Sequence, residues 1–147
     1  MATAIDSDQI VSDLSDLIKL EYDAIAAYQS AIERLDTAAY KTKLSKFLGD
    51  HKRHVKELSQ AVGNAGGTPP SEGGAMQILT KGKVLIAGLV GDQAILKAMK
   101  ANEAVTNTKY EEALKTGYPE PIEAVLSQGL SDERRHKDWI DAAIEQH

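Results

Sequence analysis

Six acidic and imidazole side chains in this 147-residue chain are spaced like metal ligands. Four of them form two short motifs, His-x-x-His and Glu-x-x-His, and a glutamate precedes the start of each motif by 30 residues. Carboxylate oxygen and imidazole nitrogen together suit divalent iron, manganese or zinc. The candidate metal ligands are Glu21, His51, His54, Glu103, Glu133 and His136.

These ligands belong to a gapless internal repeat with an offset of 82 residues. Glu21 maps onto Glu103, and the run Asp50-x-x-Arg-His54 maps onto Asp132-x-x-Arg-His136. One ligand position differs, because His51 stands where the second copy has Glu133. Such repetition predicts a duplicated supersecondary unit, here a helical hairpin, whose two copies share one site.

Amphipathic patterns predict the helices that position the ligands. Helix 1 starts near Asp6 or Ser7 and runs to about residue 35, and helix 2 follows Thr37 to about residue 62; all three residues are good N-caps. Helix 3 covers about 92–115, and helix 4 follows the turn at 116–121. Each ligand falls in an apolar stripe, where the pattern requires a buried residue. Tyr28 and Tyr110, two turns from the glutamates, are expected to pack in the core.

The rise of about 1.5 Å per helical residue places the ligands at one height. In each hairpin the glutamate precedes the turn by roughly as many residues as the paired ligands follow it. The long connection between the hairpins can traverse the bundle, so helices 2 and 3 run parallel. We predict one domain over 1–147: hairpin one (6–62), a crossover (63–91) with a short extra helix over 75–90, and hairpin two (92–146).

Composition excludes several other functions. A net charge of −5 without a basic stripe argues against binding to nucleic acid or to anionic membranes. The absence of cysteine excludes disulfides and iron–sulfur clusters. No signal peptide is visible, and the longest apolar stretch, 84–90, is too short to span a bilayer. We therefore expect a cytoplasmic protein. Burying an unpaired carboxylate costs several kcal/mol or more, which a cation between the ligands would offset.

The two motifs and the paired glutamates resemble the ferritin-like superfamily of di-iron carboxylate bundles, which includes rubrerythrin and bacterioferritin. The resemblance covers nearly the whole chain and implies an all-α, ferritin-like four-helix bundle. It also implies that Glu21 and Glu103 are terminal ligands, that Glu133 bridges two metals, and that His54 and His136 supply imidazole nitrogen. The implied cofactor is iron at two positions, with zinc or manganese as alternatives.

His51 departs from the superfamily, which has a bridging glutamate at this position. A neutral imidazole has one lone pair and cannot bridge two ions. Three carboxylates would face two dications instead of four, so we expect an asymmetric site with one weak or empty position. We expect Asp50 and Asp132 to orient ligands on neighbouring helices.

Two functions remain open. The resemblance implies an iron-dependent oxidase or peroxidase of oxidative or metal stress, using O2 or peroxide and an external reductant, because the chain lacks cysteines for an electron-transfer domain. The alternative is non-catalytic metal binding or sequestration, or a bundle with a structural zinc or iron ion. The apolar crossover could form a homodimer contact, whereas the lack of an obvious fifth helix disfavours an iron-storage shell.

Overall fold

The computed structural model describes residues 5–71, 86 and 88–146. Its helices are α1 (Ser7–Arg34), α2 (Ala38–Asn64), α3 (Asp92–Leu114) and α4 (Glu120–Glu145), and these residues contain no strand. The predicted all-α fold and its four long helices are confirmed. The short helix expected over 75–90 falls largely outside the described residues. No helix in the described part of the chain is long and apolar enough to cross a membrane.

Polar side chains fix where the helices begin. The Asp6 carboxylate accepts a 2.8 Å hydrogen bond from the backbone N–H of Gln9 and caps α1, as expected. The N-cap of α3 is Gly91, which has no side chain to cap the helix. The Asp92 carboxylate instead accepts hydrogen bonds from the backbone N–H groups of Asp36, at 2.7 Å, and Thr37, at 3.0 Å. This contact holds the beginning of α2 beside the beginning of α3.

The topology follows from these end contacts. Because α2 and α3 begin side by side, they run parallel, as the long crossover predicted. At the opposite end, the Tyr118 hydroxyl in the turn before α4 donates to Asp13 near the start of α1. The short connections pair α1 with α2 and α3 with α4, and the two hairpins pack through α1 against α3 and α2 against α4.

The interior consists of a polar layer between two apolar clusters. One cluster lies toward the start of α1, and the other lies toward its end. The first includes Leu14, Ile18, Leu58, Tyr110 and Leu126, and the second includes Tyr28, Leu44, Phe47, Met99 and Ile140. The predicted ligands occupy the layer between them, so the apolar clusters separate that layer from solvent at both ends of the bundle.

Gly129 allows an aromatic side chain to approach α4 closely. A Cβ atom at this position would lie 2.5 Å from Cε1 of Tyr110, well inside van der Waals contact. The Tyr110 ring is fully buried and has little room to withdraw. Glycine is therefore needed here for packing, although it is a poor helix former.

We predict opposite effects for two Gly→Ala substitutions inside helices. Gly129→Ala should lower the free energy of unfolding by about 1–3 kcal/mol, because overpacking against Tyr110 outweighs better helix propensity. Gly49→Ala, with nothing within 4 Å of its new Cβ, should raise it by about 0.5–1 kcal/mol. Urea unfolding of both variants measures the difference, and equal stabilisation by both would show that the close approach imposes no constraint.

Candidate metal centre

All six predicted ligands meet in the polar layer. Each helix contributes at least one of them, and none has more than 3% of its surface exposed. They form two overlapping groups whose ligand atoms lie within 4.8 Å of one another and could hold a metal ion. The groups are Glu21, His51, His54 and Glu133, and His51, Glu103, Glu133 and His136. The structure thus brings the residues together, while their ligation of metal stays a prediction.

His51 and Glu133 belong to both groups, so they divide the cluster into two halves. We call Glu21 with His54 the Glu21 half, and Glu103 with His136 the Glu103 half. The Nδ1 atom of His51 lies 3.2 Å from Glu21 Oε2, and its Nε2 atom lies 3.3 Å from Glu103 Oε1. The ring therefore presents one nitrogen to each half. Since a neutral imidazole has one lone pair, His51 can ligate in one half at a time.

Aspartates on the neighbouring helix hold the other two imidazoles. His54 Nε2 on α2 lies 2.8 Å from Asp132 Oδ2 on α4, and His136 Nε2 on α4 lies 2.8 Å from Asp50 Oδ2 on α2. The expected contact of these aspartates with ligands on the neighbouring helix is confirmed. With Nε2 bound to aspartate, each ring directs Nδ1 inward; His54 Nδ1, for example, lies 2.8 Å from Glu21 Oε2.

Two arginines contact these aspartates on the side away from the metal ligands. We call the resulting network the His–Asp–Arg ladder; its members are His54, His136, Asp50, Asp132, Arg53 and Arg135. Arg135 donates to Asp50 at 2.9 Å and to Asp132 at 3.0 Å, while Arg53 donates to Asp50 at 3.1 Å and also to Asp132. Burial alone would raise the pKa of Asp50, but hydrogen bonds from His136 and Arg135 lower it to about 2. Hydrogen bonds from His54 and Arg135 likewise lower the pKa of Asp132 against the effect of burial, so both aspartates remain ionised acceptors.

Three residues that the sequence analysis did not assign to the site support the Glu103 half. The Tyr28 hydroxyl donates to Glu103. Thr106 Oγ1 lies 3.0 Å from Glu133 Oε2, 3.3 Å from Glu103 Oε2 and 3.0 Å from the backbone carbonyl of Glu103, so its one proton can be donated to any of these three acceptors. Asn107 Nδ2 donates to the backbone carbonyls of Glu103, at 2.7 Å, and Glu133, at 3.1 Å. Thr106 had a sequence signal, since this polar residue stands on the apolar stripe of α3.

Two polar atoms at the centre of the cluster have no hydrogen-bond partner. They are Glu133 Oε1 and His136 Nδ1, both buried. Their contacts within the cluster are longer ion-pair approaches, 3.3 Å from Glu133 Oε1 to His54 Nδ1 and 3.4 Å from His136 Nδ1 to Glu103 Oε1. Buried polar groups are nearly always satisfied, because leaving one unpaired costs the full desolvation penalty. A carboxylate oxygen and an imidazole nitrogen are both ligands of divalent cations, the imidazole after it has lost its proton, so the residues present fit a bound metal.

The charges of the cluster shift the pKa values of its members. Burial raises the pKa of Glu133 to about 7, with the negative charges of Glu21 and Glu103 adding to it and His51 opposing it. Burial would lower the pKa values of His54 and His136, but contacts with carboxylates raise them to about 10 and about 9. Without a cation, protonated imidazoles neutralise the buried carboxylates.

The stability of the metal-free protein should depend on pH. His54 and His136 stabilise the folded state because their pKa values are higher there than in the unfolded chain. This stabilisation is complete below pH 6.5, the ordinary pKa of histidine, and is lost as the pH rises through about 9 to 10. Glu133 acts in the same direction between 4.5 and about 7. Glu21, whose pKa is lowered to about 2 by His51 and His54 against the effect of burial, loses its contribution as pH falls below 4.5.

We therefore expect the metal-free protein to be most stable at about pH 4.5, to lose some stability up to pH 6.5 as the contribution of Glu133 is lost, and to lose more above pH 6.5 as the contributions of His54 and His136 are lost. Urea unfolding of chelator-treated protein, repeated at pH values from below 4.5 to above 10, measures the profile. A free energy of unfolding that stays constant as pH rises through the raised histidine pKa values would contradict it.

Four helices that surround a buried cluster of carboxylates and imidazoles, with a long connection between the second and the third helix, define a ferritin-like bundle. Solved structures show the same fold. The chain is similar to a dodecameric thioferritin, the bacterioferritin-related protein from Bacteroides fragilis, at 12% identity and a TM-score of 0.80, covering 97% of this chain and 88% of that one. It is also similar to the ferritin-like, diiron-carboxylate proteins from Bacillus anthracis str. Ames, at 17% identity and a TM-score of 0.77, covering 97% and 99%.

The chain belongs to the family described as Domain of unknown function (DUF2383), whose model matches residues 9–116. The match includes α1, α2 and α3 and ends before α4, which carries Glu133 and His136. Comparison with curated proteins finds no match.

Proposed function

We propose that this protein binds divalent iron in the six-residue cluster and acts as an oxidase or peroxidase in oxidative or metal stress. The observation that carries the proposal is the buried set of three carboxylates and three imidazoles, with Glu133 Oε1 and His136 Nδ1 left without hydrogen-bond partners. A cation between these groups would neutralise the carboxylates and satisfy both atoms.

The chain's residues would hold the metal in distinct ways. Glu21 and Glu103 would be the terminal carboxylates, Glu133 would serve both halves, and His54 and His136 would bind through Nδ1. Two bound iron(II) ions would supply the two electrons that, with two protons, reduce one hydrogen peroxide to two waters. An external reductant would restore iron(II). The apolar clusters above and below the polar layer exclude bulk water from it.

Two similar solved structures support this class of function. One group of proteins is described as ferritin-like and diiron-carboxylate, and the other protein as a thioferritin. Both comparisons are at low identity, so the support is by analogy of fold.

Non-catalytic zinc binding is the second candidate, and His51 favours it. Imidazole in place of a bridging carboxylate gives three nitrogen ligands and three carboxylates, a set that also suits zinc. A neutral His51 also leaves two dications with one positive charge in excess, which disfavours filling both positions. Zinc retained after purification, without redox activity, would support this candidate.

Iron loading tests the oxidase or peroxidase proposal. Protein loaded anaerobically with iron(II) should oxidise it on addition of hydrogen peroxide faster than the same iron(II) in buffer. Remaining iron(II), measured with a colorimetric chelator, and remaining peroxide give the stoichiometry. Glu103→Gln, which removes one carboxylate charge while keeping the side-chain shape, is the matched control and should retain less iron. Tightly retained iron(II) that reacts no faster than free iron(II) would leave only the non-catalytic function.

The aspartates of the His–Asp–Arg ladder should influence metal affinity without touching the metal. Asp50→Asn and Asp132→Asn should each weaken binding of a divalent cation about 10–100-fold, because the histidine rings lose the acceptor that orients them. The exposed Asp138→Asn on α4 is the control and should change little. Competition against a chromophoric chelator measures the dissociation constants; equal affinities in all three variants would show that the ladder does not position the imidazoles.

A further inference from the structure

Apart from the His51/Glu133 position, the two copies of the repeat match in their ligands, but they differ in the residues that support those ligands. Thr106 and Asn107 contact both ligand residues of α3 and α4. At the offset of 82 residues, their counterparts in the first copy are Ala24 and Ile25, which have no polar side-chain atoms. The Glu21 half therefore lacks the hydroxyl and the amide that hold Glu103 and Glu133.

Tyr28 and Tyr110 occupy equivalent positions in the two copies, and they also differ in whether they contact a ligand. The Tyr28 hydroxyl donates to Glu103 across the bundle, so symmetry would require its counterpart Tyr110 to donate to Glu21. The Tyr110 hydroxyl is instead buried without a hydrogen-bond partner. The Tyr110 ring lies against Gly129, at a distance that a side chain there would forbid. The first copy has Phe47 at the position of Gly129, and Phe47 stacks on His136 with ring centroids 4.2 Å apart.

The two terminal carboxylates are consequently held to different degrees. Glu103 accepts hydrogen bonds from Tyr28 and lies within reach of Thr106, neither of which is a candidate ligand. The hydrogen bonds of Glu21 are with His51 and His54, which are themselves candidate ligands. Glu103 also contacts imidazole nitrogens, those of His51 and His136. When cations occupy the nitrogens, both carboxylates lose their imidazole contacts, but Glu103 keeps the hydrogen bond from Tyr28.

Ligands that are held in place before binding give the higher affinity, because less order must be imposed when the ion arrives. Resting on the proposed metal binding, we propose that the first divalent cation binds in the Glu103 half, between Glu103, Glu133, His136 and Nε2 of His51. The Glu21 half then fills second and more weakly. Tyr28, Thr106 and Asn107 are positioning residues for the first ion.

His51 couples the two halves. Once Nε2 gives its lone pair to the first ion, the ring proton resides on Nδ1. That nitrogen lies 3.2–3.3 Å from the Glu21 carboxylate and donates to it. The Glu21 half thus loses one nitrogen ligand and receives an N–H group, and both changes disfavour a second cation there.

The order of filling can be observed directly by zinc(II) titration of the isotope-labelled full chain, followed by NMR of the histidine rings. His54→Gln and His136→Gln spectra assign the signals. Up to one equivalent of zinc, the His136 signals should move to the bound position while those of His54 stay near their metal-free place. His54 moving first, or both moving together, would overturn the proposed order while leaving metal binding intact. No movement of either ring at any ratio would remove the metal site itself.

Matched tyrosine variants test the cause of the order. Tyr28→Phe should weaken binding of the first zinc ion about tenfold, whereas Tyr110→Phe, which removes an equally buried hydroxyl, should leave it unchanged. Thr106→Val should also weaken the first ion, and Thr106→Ser should restore it. Unfolding of each metal-free variant by urea separates lost stability from lost affinity. Equal losses in Tyr28→Phe and Tyr110→Phe would show that the Glu103 contact does not position the ligand.

Discussion

The interior of this bundle has to accommodate six ionisable side chains away from water. Each carboxylate or protonated imidazole taken singly would cost several kcal/mol to bury. The chain meets this cost by placing acids and imidazoles in direct contact, as in the 2.8 Å approach of His54 Nδ1 to Glu21. The apolar clusters, the parallel course of α2 and α3 and the ladder of charges outside the histidines all serve to keep that layer assembled.

Much of this arrangement can be predicted from the sequence, because it depends on periodicity and counting. The apolar stripes locate the helices. The 82-residue repeat, together with the similar number of residues between each ligand and the turn of its hairpin, places the ligands at one depth. Contacts that depend on side-chain rotamers and on helix rotation cannot be read in this way. Tyr28 packs in the core as expected, but its contact with a ligand was not predicted: its length and the antiparallel course of α1 and α3 bring its hydroxyl to Glu103.

Asp92 and His51 show two further limits of the sequence. An aspartate at the start of a helix ordinarily caps that same helix. Asp92 instead accepts hydrogen bonds from the backbone at the start of α2, a contact that depends on how the two hairpins pack. The chemical difference between His51 and Glu133 is evident from the repeat, but the direction of the His51 ring is not. That direction gives each half of the cluster one nitrogen and makes the halves interdependent.

The His–Asp–Arg ladder links the buried layer with the surroundings of the protein. Its guanidinium groups are partly exposed, with 43% of the Arg53 side chain and 54% of the Arg135 side chain accessible. Mobile ions in the medium screen such charges and compete for them. Because the two arginines contact the aspartates that in turn contact the imidazoles, we expect the ionic strength of the medium to influence the orientation of the buried histidine rings.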